Sequence, residues 1–169
     1  MVEDVDNNMR LIIIIAFILW TTSRHEGSHA LMAYLEGAEI QELKLLPGIH
    51  EELGFYFGYV KHSGDTTWLT ESAPFFSDLI LVFISSLILT FTIPARFYNE
   101  VLLFGFGSPI VDLIYNYQGG LWRRGTDVSD LLELLPKSLV HTSFILAIVL
   151  SIMFFLYFRK RIKTTPNNV

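Results

Sequence analysis

Long blocks of apolar residues restrict what this chain can fold into more than any other feature of its sequence. Hydrophobic residues make up 51% of the 169 positions and charged residues only 17%. A helix needs about 20 mostly apolar residues to cross the hydrocarbon of a bilayer. The sequence therefore predicts a mainly α, multi-pass protein of the cell membrane, with about four transmembrane helices in contact with the lipid bilayer.

The predicted spans are residues 9–35, 75–93, 97–118 and 139–158. Pro74 and Pro94 flank the second span and are predicted to mark its ends. All 169 residues then form a single membrane domain with three parts. Residues 9–118 are a three-helix core, residues 119–138 a polar connection with a short helix, and residues 139–158 an additional structural helix.

Two polar connections are predicted to carry structure of their own. Between the first two spans, residues 39–45 and 55–60 have strand character on either side of Pro47-Gly48, which favours a small β-hairpin. After the third span, Gly125-Thr126-Asp127 is typical of a helix N-cap and predicts a short helix over residues 128–135.

Charge and composition argue against several classes of protein. The formal charge of −5 argues against a nucleic-acid partner, because such proteins carry a basic surface. The sequence has no cysteine, which excludes disulfides and thiolate metal ligands. Acidic residues before the first apolar block argue against a cleaved signal peptide. Basic residues near helix ends favour cytoplasmic termini.

The first span contains the feature that points to function. Its purely apolar part, residues 11–20, is about half of what a crossing needs, so residues 21–30 must enter the membrane as well. Polar side chains at that depth must face protein or water instead of lipid. This polar half includes His25-Glu26-Gly27-Ser28-His29, and we interpret its depth as a functional requirement.

The His-Glu-x-x-His pattern predicts a zinc site. His25 and His29 are four residues apart and therefore project from the same face of a helix. Two imidazoles placed in this way can bind one Zn²⁺, at about 2.0–2.1 Å from each nitrogen. Glu26 lies about a quarter turn away, where it can reach a coordinated water instead of the ion. Zinc lowers the pKa of such a water towards neutrality, and Glu26 is predicted to be the catalytic base.

Zinc requires a third protein ligand, which must be a carboxylate or a histidine because cysteine is absent. Asp112 is predicted to be this ligand, since it lies in the third span at the same depth as His25 and His29, where an ionisable side chain is costly. Asp127 stays open as the alternative, although a role as helix N-cap already accounts for it. Asp78, near the start of the second span, is predicted to cap that helix or reach the membrane surface.

Three segments resemble the site-2 protease family of intramembrane zinc metalloproteases. His25–His29 matches the HExxH element in the first core helix of that family. Ala73–Ser77 looks like the turn that begins the second core helix, and Ser108–Asp112 looks like the Pro-containing third element. In the family this third element supplies an Asp ligand, which the resemblance places at Asp112.

The resemblance also permits a second alignment. The third element of the family usually has Asn before its Pro and Gly after its Asp, whereas Leu113 stands at the Gly position and Asn116 follows the Asp. Aligning Asn116 with the family's Asn places the ligand at Asp127 instead.

The resemblance implies hydrolysis of a peptide bond in or near the transmembrane segment of a membrane-protein or peptide substrate. The predicted β-hairpin would pair with an unwound substrate strand. A catalytically silent membrane adaptor is an alternative, although Glu26 has no use without water activation. A metal-handling membrane protein is a further alternative, because His and Asp inside membranes also mark ion pathways, but the chain lacks the internal repeats common in transporters.

Overall fold

The computed structural model describes residues 2–50, 54–91 and 95–164 and is mainly helical, which confirms the mainly α part of the predicted fold class. The helices are α1 (Val2–Leu35), α2 (Trp68–Phe91), α3 (Tyr98–Leu102), α4 (Ser108–Trp122), α5 (Asp127–Leu134) and α6 (Lys137–Thr164). The strands are β1 (Glu39–Lys44), β2 (Gly48–His50), β3 (Gly54–Tyr56) and β4 (Tyr59–Ser63).

Two helices are long and apolar enough to cross a membrane. They are α2 and residues 137–161 of α6, which correspond to the second and fourth predicted spans. The first predicted span lies within α1. The third is divided, because a π-helical turn at Leu103–Gly107 separates α3 from α4.

The connection between α1 and α2 is a nested antiparallel hairpin, as the sequence predicts. β1 pairs with β4, and within that pair β2 pairs with β3. The hairpin therefore has four short strands among the described residues, where the sequence indicates two. The predicted turn at Pro47-Gly48 is wrong, because Gly48 is the first residue of β2 and pairs with Tyr56. A register shift between Ile40 and Glu42 interrupts the outer pair.

Glu36 joins the end of α1 to the beginning of α2. Its carboxylate accepts hydrogen bonds from the backbone N–H of Thr67 at 3.0 Å, from the Thr67 hydroxyl, and from the Thr70 hydroxyl at 2.7 Å. The hydrogen bonds from Thr67 lower the pKa of Glu36. The hairpin therefore begins and ends at a fixed point of the helical core.

The prediction that Pro74 marks the start of the second span is wrong. The helix begins at Trp68, and Pro74 lies inside it. Proline has no N–H to donate to the carbonyl four residues earlier, which normally disrupts a helix. Here that carbonyl, of Thr70, accepts a hydrogen bond from a side chain of α1, so the helix continues. Pro94 lies outside the described residues.

The short helix α5 confirms the prediction for residues 128–135, but its cap differs. Thr126 is the N-cap: its hydroxyl accepts from the N–H of Ser129, and the Ser129 hydroxyl accepts from the N–H of Thr126. This reciprocal pair is a capping box. Asp127 is therefore the first residue of the helix, and the cap does not occupy its carboxylate.

Close contact between α4 and α5 positions the beginning of α5. A Cβ atom at Gly120 of α4 would lie 2.4 Å from the Cβ of Val128, so only glycine allows this approach. Val128 is fully buried in an apolar cluster shared with α2, α4 and α6. The other members of this cluster are Phe75, Leu113, Leu131, Val140 and Phe144. Asp127, one residue before Val128, is thereby held against α1.

Candidate metal centre

Helix α1 presents His25 and His29 on its buried face, as their spacing predicts. The ring centroids are 5.1 Å apart, and both residues are buried. Oδ2 of Asp127 lies 2.9 Å from Nε2 of His25 and 3.2 Å from Nε2 of His29. One ligand atom from each residue lies within 4.8 Å of the others. We refer to His25, His29 and Asp127 as the imidazole cluster.

The structure places Asp112 at Nδ1 of His25, on the opposite side of the ring from Asp127. Oδ2 of Asp112 lies 3.0 Å from Nδ1 of His25, and Asn116 donates to Oδ1 of Asp112 at 2.8 Å. Asp112 is buried beside the histidines, as its predicted depth requires. The carboxylate that converges with both Nε2 atoms, however, belongs to Asp127, the alternative ligand from the sequence.

The hydrogen-bond partners of the two Nδ1 atoms determine where the imidazole lone pairs point. His25 Nδ1 faces the carboxylate of Asp112, and His29 Nδ1 lies 2.8 Å from the backbone oxygen of Thr70. An ionised carboxylate and a carbonyl can only accept, so both Nδ1 atoms must donate. In a neutral ring Nε2 then keeps its lone pair. Both lone pairs are directed towards Asp127.

The imidazole cluster therefore brings together three acceptors, and it needs a positive charge between them. Two Nε2 lone pairs and a carboxylate oxygen repel one another when buried, unless an imidazole takes an extra proton or a metal ion binds. Around tetrahedral zinc, ligand atoms at the usual bond lengths lie about 3.3 Å apart. Separations of 2.9 and 3.2 Å are close to this value. The donor set fits Zn²⁺ with three protein ligands.

The charge state of Asp127 also suits a metal ligand. Burial by itself would raise the pKa of Asp127, but the adjacent His29 and His25 lower it below its usual range. The carboxylate is therefore ionised at neutral pH. A carboxylate must be ionised to bind a metal, so Asp127 itself has no proton to lose, and a proton held by His25 or His29 would leave as the metal binds.

A second polar group, which we call the arginine cluster, consists of Arg24, Asp78 and Asp112. Nη1 of Arg24 lies 2.6 Å from Oδ1 of Asp78, and Nη2 lies 3.1 Å from Oδ2 of Asp112. Nη1 also donates to the hydroxyl of Ser77 at 2.9 Å. Asp78 is fully buried, so the prediction that it caps α2 or reaches the membrane surface is wrong. Sequence reasoning missed Arg24, although a cation directly before His25 at membrane depth was a usable signal.

Glu26, the predicted catalytic base, lies against the hairpin. Gly58, between β3 and β4, approaches α1 so closely that a Cβ there would lie 2.8 Å from Cγ of Glu26 and 2.5 Å from the methyl group of Thr22. Any larger residue at this position would displace the hairpin or the glutamate. The hairpin is therefore packed directly beside the predicted base.

Comparison of the chain with models of protein families, with curated proteins and with solved structures finds no match in any of the three. The resemblance to the site-2 protease family thus stays a prediction from three short motifs. The geometry of the two clusters is therefore the remaining basis for a function.

Proposed function

We propose that this protein is an intramembrane zinc-dependent endopeptidase, which hydrolyses a peptide bond in or near a transmembrane segment of a membrane-protein substrate. The observation that carries the proposal is the convergence of two imidazole nitrogens and one carboxylate oxygen, next to a glutamate on the same helix. Three protein ligands with a remaining open position are typical of catalytic zinc sites, whereas structural sites have four.

The proposed ligands of one Zn²⁺ per chain are Nε2 of His25, Nε2 of His29 and a carboxylate oxygen of Asp127. Asp112 then has a different role from the one predicted. A carboxylate that accepts from Nδ1 orients the ring and makes Nε2 a better ligand. The carbonyl of Thr70 does the same for His29. This division of roles supports the second alignment, with Asp127 as the third ligand.

A bound Zn²⁺ supplies a Lewis acid that polarises a peptide carbonyl and makes a water molecule acidic near neutral pH. Glu26 follows His25 directly and lies about a quarter turn away on α1, so its carboxylate would accept a proton from a water held at this site. The same carboxylate would then pass that proton to the departing amine of the peptide. His25, His29 and Asp127 keep a fixed arrangement throughout, since Asp112 and Thr70 hold both rings.

Exposed apolar surface supports a location in the membrane. Five consecutive residues of α1, from Leu11 to Ile15, are each between 41% and 60% exposed. Consecutive helical residues point in all directions, so this part of α1 is apolar all round and suits lipid contact. We therefore propose four membrane spans, which are α1, α2, the α3–α4 segment and α6. The termini are proposed to be cytoplasmic.

The hairpin is the proposed binding surface for the substrate. A substrate helix must unwind before its carbonyls can react, and an unwound strand can pair with an exposed strand edge. Because Gly58 packs against Glu26, Gly58→Ala should shift the hairpin and lower cleavage while zinc content stays unchanged. Gly119→Ala is the matched control, since Gly119 lies outside the His25–His29 motif and a Cβ there meets nothing within 4 Å. Cleavage by Gly58→Ala at the wild-type rate would exclude the hairpin from substrate binding.

The central experiment separates metal binding from catalysis. The protein is purified in detergent, zinc per chain is measured, and cleavage of a membrane-peptide substrate is followed for wild type, Glu26→Gln and His29→Ala. We expect about one zinc in wild type and in Glu26→Gln, and cleavage by wild type alone. The loss in Glu26→Gln should be at least about 100-fold, which is the usual contribution of a general base.

Other outcomes lead to other functions. A wild-type protein that binds no zinc would end the catalytic proposal. Zinc binding without cleavage of any membrane peptide would favour the silent adaptor. Zinc that crosses a vesicle membrane in a protein-dependent way would favour metal handling.

A further inference from the structure

Pro74 lies within α2 and leaves one backbone carbonyl without its usual partner. In an α-helix the N–H of residue 74 would donate to the carbonyl of Thr70, but proline has no N–H. Pro74 is fully buried, and Thr70 is 1% exposed. Water is therefore not available to satisfy the Thr70 carbonyl, and a buried carbonyl without a partner is costly.

His29 supplies the missing donor from another helix. Its Nδ1 lies 2.8 Å from the Thr70 oxygen, a distance typical of a strong hydrogen bond. The bond joins residues 41 positions apart. The Thr70 carbonyl thus accepts a hydrogen bond from the imidazole of His29 in place of the one that its own helix would supply.

The position of the Thr70 carbonyl is itself fixed. The Thr70 hydroxyl donates to Glu36 at 2.7 Å, and the Thr70 N–H donates to the carbonyl of Thr67. Glu36 lies seven residues after His29, about two turns of helix, so both contact the first turns of α2 from the same side. The carbonyl is therefore held in place while it accepts from His29.

We infer that Pro74 is a positioning residue for the metal ligand His29. By removing one N–H from α2, it reserves the Thr70 carbonyl for His29 Nδ1, so that a neutral His29 ring has its lone pair on Nε2, directed at the proposed metal position. The inference rests on the proposed zinc site. It assigns a function to a proline that a helix would otherwise exclude.

Pro74→Ala tests the inference, because it restores an N–H that competes for the Thr70 carbonyl. Affinity for Zn²⁺ and for Co²⁺ is measured on the full-length protein in detergent, together with the visible spectrum of the Co²⁺ form. We expect a dissociation constant raised roughly tenfold, the lower end of the effect of losing a partner behind a metal ligand. The Co²⁺ spectrum should change as well, since the ring of His29 is no longer held.

Val82→Ala is the matched control for lost packing. Val82 is a buried residue of the same helix, and the substitution removes two side-chain carbons, as Pro74→Ala does, without adding an N–H. We expect its metal affinity and Co²⁺ spectrum to match those of wild type. If Val82→Ala weakens metal binding as much as Pro74→Ala, packing explains both and the inference is wrong.

The Zn²⁺-loaded wild-type protein provides a second test, which does not require Pro74→Ala to fold. Imidazole ¹⁵N chemical shifts of the Zn²⁺-loaded protein, assigned with His29→Gln, report which ring nitrogen carries the proton. A proton on Nδ1 of His29 is expected, and one on Nε2 would overturn the inference. Zinc binding by wild type with unchanged affinity in Pro74→Ala would overturn the role of Pro74 alone. Absence of zinc in wild type would overturn the proposed function itself.

Discussion

The two polar clusters on either side of His25 differ in how their buried carboxylates are neutralised. In the arginine cluster one guanidinium lies between two carboxylates, within 2.6 Å of Asp78 and 3.1 Å of Asp112. In the imidazole cluster the Nε2 atoms of His25 and His29 face the carboxylate of Asp127. The Nδ1 protons of the two rings point away from it, to Asp112 and to the carbonyl of Thr70. The arginine cluster contains its own cation, the guanidinium of Arg24, whereas the imidazole cluster could hold a metal ion.

This difference separates a structural role from a ligand-binding role among residues of the same type. Asp78, Asp112 and Asp127 are all carboxylates near α1, but only Asp127 lacks an arginine within ion-pair distance among the described contacts. A buried charge needs a partner, and the partners of Asp127 are imidazoles, which can give up a proton for a metal ion as a guanidinium cannot, so Asp127 is the carboxylate expected to bind a metal. Asp112 belongs to the arginine cluster and also contacts His25, so it connects that cluster to the proposed metal site.

The largest effect should come from removing the carboxylate that lies between the imidazoles. Asp127→Asn should lose stoichiometric zinc, whereas Asp112→Asn should keep it with an affinity roughly 10- to 100-fold lower, as expected for a residue behind a ligand. Zinc content and competition with a chelator measure both. Asp130→Asn, in the same helix, is the control and should bind like wild type. The reverse order of effects would make Asp112 the ligand.

Removing the cation of the other cluster should affect stability. Arg24→Met leaves Asp78 and Asp112 without their shared partner, and breaking a buried pair in this way costs about 3–5 kcal/mol. The double variant Arg24→Met/Asp78→Asn should recover part of this loss, because one of the two carboxylates left without the arginine is also removed. The free energy of unfolding of both variants is measured in detergent without metal. A loss below about 1 kcal/mol, the value of an exposed pair, would contradict the burial of the arginine cluster.

The smallest effect should come from the backbone contact that brings Asp127 to the histidines. Gly120→Ala places a methyl group against Val128, and such overpacking costs about 1–3 kcal/mol. It should push α5 away from α1 and weaken zinc binding. Gly119→Ala is the control, since a Cβ there meets nothing within 4 Å. Equal zinc affinity in the two variants would show that the approach of α4 and α5 does not place Asp127.

Local sequence patterns predicted much of the structure because the underlying interactions are local. The four-residue spacing of His25 and His29 places both on one face of a helix whatever else the chain does. The strand-like segments 39–45 and 55–60 predicted a hairpin, although Pro47-Gly48 is not its turn, and the Thr126 region predicted α5. These predictions depend on residues a few positions apart.

Predictions failed where the outcome depended on residues far apart in the sequence. Pro74 was interpreted as a helix boundary because its missing hydrogen bond is normally disruptive, but a side chain 45 positions earlier, that of His29, uses the carbonyl it leaves free. Asp127 was assigned to the N-cap, a role for which Thr126 is equally suited by residue type. The pairing of Arg24 with Asp78 joins two helices, and helix periodicity contains no information about it.

The partners of Arg24 have a consequence for how the protein is made. Chains leave the ribosome N-terminus first, so α1 emerges while Asp78 and Asp112 have not yet been synthesised. An arginine without a partner is poorly tolerated in hydrocarbon. If α1 spans the membrane as proposed, its polar half must wait at the membrane surface or inside the insertion machinery until α2 and α4 arrive. Insertion of this helix would then be completed by the later ones, and a chain that ends before residue 112 would leave it unfinished.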